Sequence, residues 1–234
     1  MLIFYITVTN MLTKAFVTPL SKSHVDETSI SFAGLYNGKL TPNISVKQQI
    51  EGSDAVIHIG PLLSDSNTGG WSQNLRPSNL ISLGHDRIQI RGRTWSYIHF
   101  APILKKLVSR IQLGGIRLSQ RSLQLTKIKS GHKKQPSGPL EQHYFWKQFS
   151  SFVKPGDCII AEVGSAQYGT LEIDLPHDTT FFTQLYYSSI GFTVGALLGA
   201  LLARREQGKK GRVLLFIGDG SLHMSVQVRL PLSS

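Results

Sequence analysis

Arg212-Val-Leu-Leu-Phe-Ile-Gly-Asp-Gly-Ser221 is a run of apolar residues that stops at a carboxylate set between two glycines. A continuous apolar run of this length, with no polar residue at every second position, is the pattern of a strand covered on both faces in a parallel sheet. Two earlier stretches have the same form. Asp54-Ala-Val-Ile-His-Ile-Gly60 runs into Pro-Leu-Leu-Ser-Asp-Ser-Asn-Thr-Gly-Gly70, and Asp157-Cys-Ile-Ile-Ala-Glu-Val-Gly164 runs into Ser-Ala-Gln-Tyr-Gly169. Helix-like stretches lie over residues 98–113, 140–153 and 190–206, and shorter strand-like runs over 79–85 and 87–91. This alternation predicts an α/β protein. Residues 119–139 are polar, basic and broken by Gly and Pro, and read as a linker. The chain is therefore expected to form two partial Rossmann-like parallel-sheet domains, residues 1–118 and 140–234, joined by that basic linker. Their glycine-rich loops fall at the carboxyl ends of the strands, where open α/β sheets bind ligands.

The loop after the last strand carries the sharpest chemistry. A phosphate-binding P-loop needs Lys-Ser/Thr after its final glycine, and Leu222-His223 do not supply it. The dinucleotide motif needs a glycine at its sixth position, which is His223. What remains is Asp219 between Gly218 and Gly220, followed by Ser221. The glycines allow close approach of the backbone to a phosphate, and amides at a helix start supply donors. A bare carboxylate would repel phosphate, so Asp219 makes sense there as a ligand of Mg²⁺, which takes one or two protein oxygens plus substrate phosphates. The other reading is an Asp in a tight turn that caps the following helix. The two stand level on the local pattern.

Composition limits the rest. The chain has 234 residues, 41% hydrophobic and 17% charged, with a formal net charge of +11. It is too apolar to be disordered and too polar to span a membrane many times. The single cysteine, Cys158, excludes an internal disulfide and a Cys-based metal cage, and fits a reducing compartment such as the cytoplasm. None of the eight histidines shows metal-ligand spacing. Residues 72–135 hold 13 Lys/Arg and one acid, Asp86. This block reads as a solvated edge with a basic linker. Its aromatics, Trp95, Tyr97 and Phe100, sit together and are not interleaved with the bases as a nucleic-acid stacking platform requires. No nucleic acid is expected.

Residues 179–203 carry no charge over 25 positions, but the densely apolar part, 190–203, is only 14 residues long, against about 20 needed to cross a bilayer. Gly191, Gly195 and Gly199 form a small-residue ridge on which another element can lie closely. No membrane span is expected. The apolar N-terminus, residues 1–8, lacks the flanks of a signal peptide and reads as a buried strand or a stretch foreign to the rest.

Three stretches together resemble the thiamine-diphosphate-dependent 2-oxo-acid decarboxylases of the fungal pyruvate-decarboxylase type. They are Ala15-Phe-Val-Thr-Pro-Leu20, Gly60-Pro-Leu-Leu-Ser-Asp-Ser-Asn-Thr-Gly69, and Ser189-Ile-Gly-Phe-Thr-Val-Gly-Ala196 continuing through Val213–Gln227. The resemblance implies a middle domain, incomplete at its start, and the first half of a diphosphate-binding domain. It implies thiamine diphosphate and Mg²⁺ as cofactors, with Asp219 as a metal ligand and Gly218, Gly220 and Ser221 at the diphosphate. Gly164 and Ser165 would lie near that diphosphate. Ile190 would be the wedge that bends the cofactor, and the carbonyl of Ser188, where the family usually has Gly, would accept the pyrimidine amino group. Val163 stands where the family's yeast-type members have Thr.

The family's pyrimidine-binding domain, and the Asn pair that completes its metal motif, have no counterpart here. The chain therefore reads as a truncated pyruvate-decarboxylase-like protein, with no catalytic residue assigned and no turnover expected from the chain alone. The region from about residue 141 is expected to be unstable or aggregation-prone by itself, because half a doubly wound sheet leaves an open edge and bare apolar faces. The resemblance also implies a 2-oxo-acid substrate and a homo-oligomer in the full-length family. The alternatives are a fragment of an aromatic 2-oxo-acid decarboxylase, and a non-catalytic fragment that pairs with intact subunits.

Overall fold

The computed structural model of the protein describes residues 14–114 and 138–228. They fall into two compact units: residues 14–25 and 29–114 belong to the first, and residues 26–28 and 138–228 to the second. The sequence expectations for the N-terminal eight residues and for the final residues 229–234 lie outside the described residues, as does the linker apart from Gly138 and Pro139.

The first unit contains β1 (Ala15–Val17), β2 (Phe32–Leu35), α1 (Ile44–Glu51), β3 (Val56–Ile59), β4 (Leu80–Leu83), β5 (Arg87–Ile90), β6 (Arg93–Ser96) and α2 (Phe100–Gly114). β1 pairs parallel to β2, and β3 pairs parallel to β4. β5 then runs antiparallel to β4 and β6 antiparallel to β5, so this sheet is mixed where the other two are parallel. Between β5 and β6 the chain reverses in a two-residue turn, Arg91-Gly92, with φ of 48° and 84°. Two successive left-handed residues reverse a strand directly into a hairpin.

Asn43 starts α1, its side chain accepting a hydrogen bond from the Ser45 amide at 3.0 Å. Val46 and Ile50 of that helix, one turn apart, are buried with Phe16 and Tyr36. A second cluster joins Ile59, Leu83 and Ile88 to Phe100, Ile103 and Leu104 of α2. His58 on β3 is also buried. Burial alone lowers its imidazole from 6.5 to about 4.

The second unit contains α3 (Gln142–Phe149), β7 (Cys158–Ala161), α4 (Ser165–Gly169), β8 (Thr180–Thr183), α5 (Phe192–Glu206), β9 (Val213–Phe216) and α6 (Asp219–His223). β7 is central and pairs parallel with β8 on one side and β9 on the other. All four residues of β7 are buried, as a strand covered on both faces must be, whereas β9, at the sheet edge, is half-buried throughout. Cys158 lies inside β7, where burial pushes its thiol up.

α3 covers one face through Trp146 and Phe149, whose rings stand 5.2 and 4.7 Å from the Phe216 ring. At the amino ends of the strands, buried Asp157 accepts from the Arg212 guanidinium at 2.6 Å and from the Arg212 and Lys154 amides at 3.0 and 2.9 Å. The same guanidinium lies 4.3 Å over the Phe152 ring. Burial pushes the Asp157 carboxyl up. Arg212 and the two amides more than reverse that and hold it at about 2. This cluster pins the closed end of the sheet and leaves the opposite end to loops.

Candidate functional site

The spatial order β8-β7-β9 is 2-1-3 in chain order. The chain leaves β7 toward β8 on one side, then crosses back to β9 on the other. The gap in connection between the carboxyl ends of β7 and β9 is therefore a topological switch point, the position where open α/β sheets take ligands. The register sets Ala161 level with Thr183 and with Phe216, so the three strands end at one height. Every site residue anticipated from the sequence lies on the loops that leave these three ends or in the first turn of the helix that follows.

Gly164 follows β7 with φ of 112°, a backbone that favours glycine, and Ser165 opens α4; both are exposed. Ser188 and Ile190 lie on the loop from β8 to α5, and both are exposed. Ser188 is held in the left-handed region, φ 51°, with its hydroxyl donating to the Leu185 carbonyl at 3.1 Å. Gly218, Asp219 and Gly220 follow β9, all exposed, with half-buried Ser221 next.

Asp219 is the first residue of α6 and not its N-cap, which is Gly218. Its Oδ1 accepts from the Gly220 amide at 2.8 Å. The carboxylate is thus not turned into the core as a buried cap. Among the described residues no group of three or more His, Cys, Asp or Glu is placed to hold a metal.

The glycines here separate by cause. A Cβ on Gly191, φ 87°, would lie 2.6 Å from Ser225 Oγ and 3.1 Å from Met224 Cβ, so packing and backbone both demand glycine. Gly218 has φ of −74°, open to any residue, and Gly220 lies within α6. A Cβ on either would meet nothing within 4 Å. The fold does not require glycine at these two positions.

Residues the sequence reading passed over tie the three loops together. Glu162, at the end of β7, is fully buried. Its Oε2 accepts from the Gly191 amide at 3.1 Å, the Thr193 amide at 3.3 Å and the Thr193 hydroxyl at 2.6 Å. Its Oε1 accepts from the Val163 amide at 2.8 Å. On the other side of Gly191, its carbonyl accepts from the Ser225 hydroxyl at 2.7 Å. A charged residue inside the apolar run Cys158–Val163 was the available signal, since an unpaired buried Glu is rare.

No protein-family profile matches the chain. Among curated proteins it is similar to pyruvate decarboxylase isozyme 1 of Saccharomyces cerevisiae, 36% identical over 214 residues that cover 91% of this chain and 38% of the relative. It is similar also to the pyruvate decarboxylase of Candida albicans, 37% identical over 213 residues that cover 91% and 37% respectively. The pyruvate decarboxylase of Kluyveromyces marxianus is 36% identical over 214 residues, with the same shares. The chain spans less than two fifths of the length of these relatives.

Proposed function

We propose that this chain, which belongs to the pyruvate-decarboxylase-type family, forms in its second unit the diphosphate-binding part of a thiamine-diphosphate site, in a protein that decarboxylates a 2-oxo acid without oxidation. The observation that carries this reading is the pair Gly218 and Gly220, which the fold does not need as glycines, flanking exposed Asp219 at a switch point.

The residues present suit the group. Asp219 offers Mg²⁺ a hard oxygen ligand, and diphosphate oxygens would complete much of its shell. The amides of Gly164 and Ser221, with the hydroxyls of Ser165 and Ser221, would donate to phosphate oxygens. The Ser188 carbonyl would accept from the pyrimidine amino group. Ile190, 59% exposed, would supply the bulk against which the cofactor is bent. Thiamine diphosphate, when bound, supplies an electron sink for the bond pair left as carbon dioxide departs. The protein's contribution is to hold that group in one shape.

Among the described residues no group of three or more His, Cys, Asp or Glu could complete a metal site, and we expect the chain alone to bind weakly and to release no aldehyde from a 2-oxo acid. We place it in the cytoplasm and expect oligomers in the full-length family. No helix among the described residues is long and apolar enough to cross a membrane.

Titration calorimetry with thiamine diphosphate tests the reading. We expect binding that needs Mg²⁺, is lost with thiamine, and weakens at least tenfold in Asp219→Ala. Binding that ignores Mg²⁺, or equal binding of thiamine, overturns it.

A second reading, a non-catalytic fragment that pairs with intact subunits, draws on α5. Phe192, Gly195, Gly199 and Leu202 form an exposed stripe at helical spacing, and a Cβ on either glycine would meet nothing within 4 Å. Co-expression with an intact relative and a pull-down separates it from the first.

A further inference from the structure

We infer that Glu162 is a positioning residue for the wedge, Ile190, holding it through Gly191; the role toward the cofactor rests on the function proposed above. α5 begins at an N-cap that has no side chain, Gly191. The carboxylate that a helix start ordinarily finds in its own N-cap residue comes instead from Glu162, 29 positions earlier in the chain. Four donors converge on it, two amides and a hydroxyl at Oε2 and one amide at Oε1. An ionised carboxylate only accepts, so it can satisfy all four. A glutamine would aim its NH₂ at donors. A negative charge here also faces the positive end of a 15-residue helix.

Gly191 is thereby held from both sides. Its amide donates to Glu162 and its carbonyl accepts from Ser225 on the segment after α6. Ile190 is the next residue toward the N-terminus, so the backbone that carries it is fixed relative to the end of β7, where Gly164 lies two residues beyond Glu162. A wedge that bends another molecule must resist the opposing force. An exposed isoleucine on a free loop would yield, whereas one anchored to a buried carboxylate does not. Ile190 acts on the cofactor, and Glu162 acts through Ile190.

Hydrogen exchange read by mass spectrometry on the chain tests this without any ligand. In Glu162→Gln we expect the amides of Gly191–Thr193 to exchange at least tenfold faster, with Ile159–Ala161 and Val213–Phe216 unchanged. Thr193→Val is expected to give a smaller rise at the same amides, and Thr193→Ser, which keeps the hydroxyl, the wild-type rate. This pair keeps the test intact if Glu162→Gln fails to fold. No change at Gly191–Thr193, or an equal rise across β7 and β9, overturns the inference.

Thiamine diphosphate with Mg²⁺ is then titrated by the protection it confers at Gly164 and Gly220. Affinity several-fold weaker in Thr193→Val than in Thr193→Ser supports the positioning role. Equal affinity overturns that role and leaves the cofactor reading standing. No protection in the wild-type chain overturns the cofactor reading, and the positioning role with it.

Discussion

Acidification should weaken the first unit before the second, and His58 should account for the difference. His58 is buried, and the cost of burying a charged imidazole lowers its pKa from 6.5 to about 4. Between those values the unfolded chain binds a proton that the folded one refuses. Stability then rises with pH at about 1.4 kcal/mol per pH unit. The contribution is complete above 6.5 and gone below about 4, a total near 3 kcal/mol. By pH 5 roughly 2 kcal/mol is lost, which for a unit of this size lowers the melting point by about 10 °C. The assay is urea unfolding at a series of pH values, followed by pulsed hydrogen exchange at the amides of β3 and β4. The comparison is His58→Leu, which keeps an apolar residue in the strand and removes the titrating group. Wild type should lose stability steeply between pH 6.5 and 4 while the variant stays nearly level. Parallel pH profiles in the two proteins would refute the argument, whatever their absolute stabilities.

Asp157 should govern the second unit at lower pH. Its folded pKa of about 2 against 3.8 means that its stabilising effect is full above 3.8. The effect, about 2 kcal/mol, is lost as pH falls toward 2, and exchange at β7 in Asp157→Asn should lack that limb. Ser188→Gly should stabilise the unit by about 1 kcal/mol in urea unfolding, because a left-handed serine is strained and glycine is not. No gain would place the strain elsewhere. Gly220→Ala should leave stability unchanged or raise it by up to about 1 kcal/mol, since its Cβ meets nothing, while Mg²⁺-dependent binding of thiamine diphosphate falls. Gly169→Ala should do the reverse and destabilise the unit, because its Cβ would enter the Trp146 ring. Thermal melts of the two variants side by side check both signs.

What the sequence made legible follows from how much of each signal is local. β3, β7 and β9 were readable because a parallel strand covered by helices needs an unbroken apolar run, and the observed strands sit one to three residues inside each predicted run. α2 and α5 came through at nearly their observed lengths. β8 was missed because Thr180-Phe-Phe-Thr183 sits in an uncharged stretch that drew attention as an apolar whole. β1 and β2 were missed because three or four residues, one of them Gly34, carry little pattern of their own. Gly34 does carry tertiary information: at φ 138° its Cβ would come within 2.6 Å of Val46 on α1. The hairpin of β5 and β6 hung on Arg91-Gly92, a turn whose positive φ values are a backbone fact before they are a compositional one.

The site was legible in its exposed members and opaque in its buried ones. Gly164, Ser188 and Ile190 lie on loops at strand ends, and Ser165 and Asp219 open the helices that follow; such residues show their chemistry in their own neighbourhood in sequence. Glu162, Thr193 and Ser225 act across 29 to 34 positions, and no local window contains both partners of any of those bonds. The two groups also answer to different selection by physics. A Cβ on a loop glycine such as Gly218 would meet nothing within 4 Å, so packing gives it no reason to be glycine. Gly191 cannot change at all, because Ser225 and Met224 already occupy the space of a side chain. Glycine at both positions looks identical in the sequence. The distinction between a residue that serves the fold and one that serves a bound group exists only where the neighbours are known.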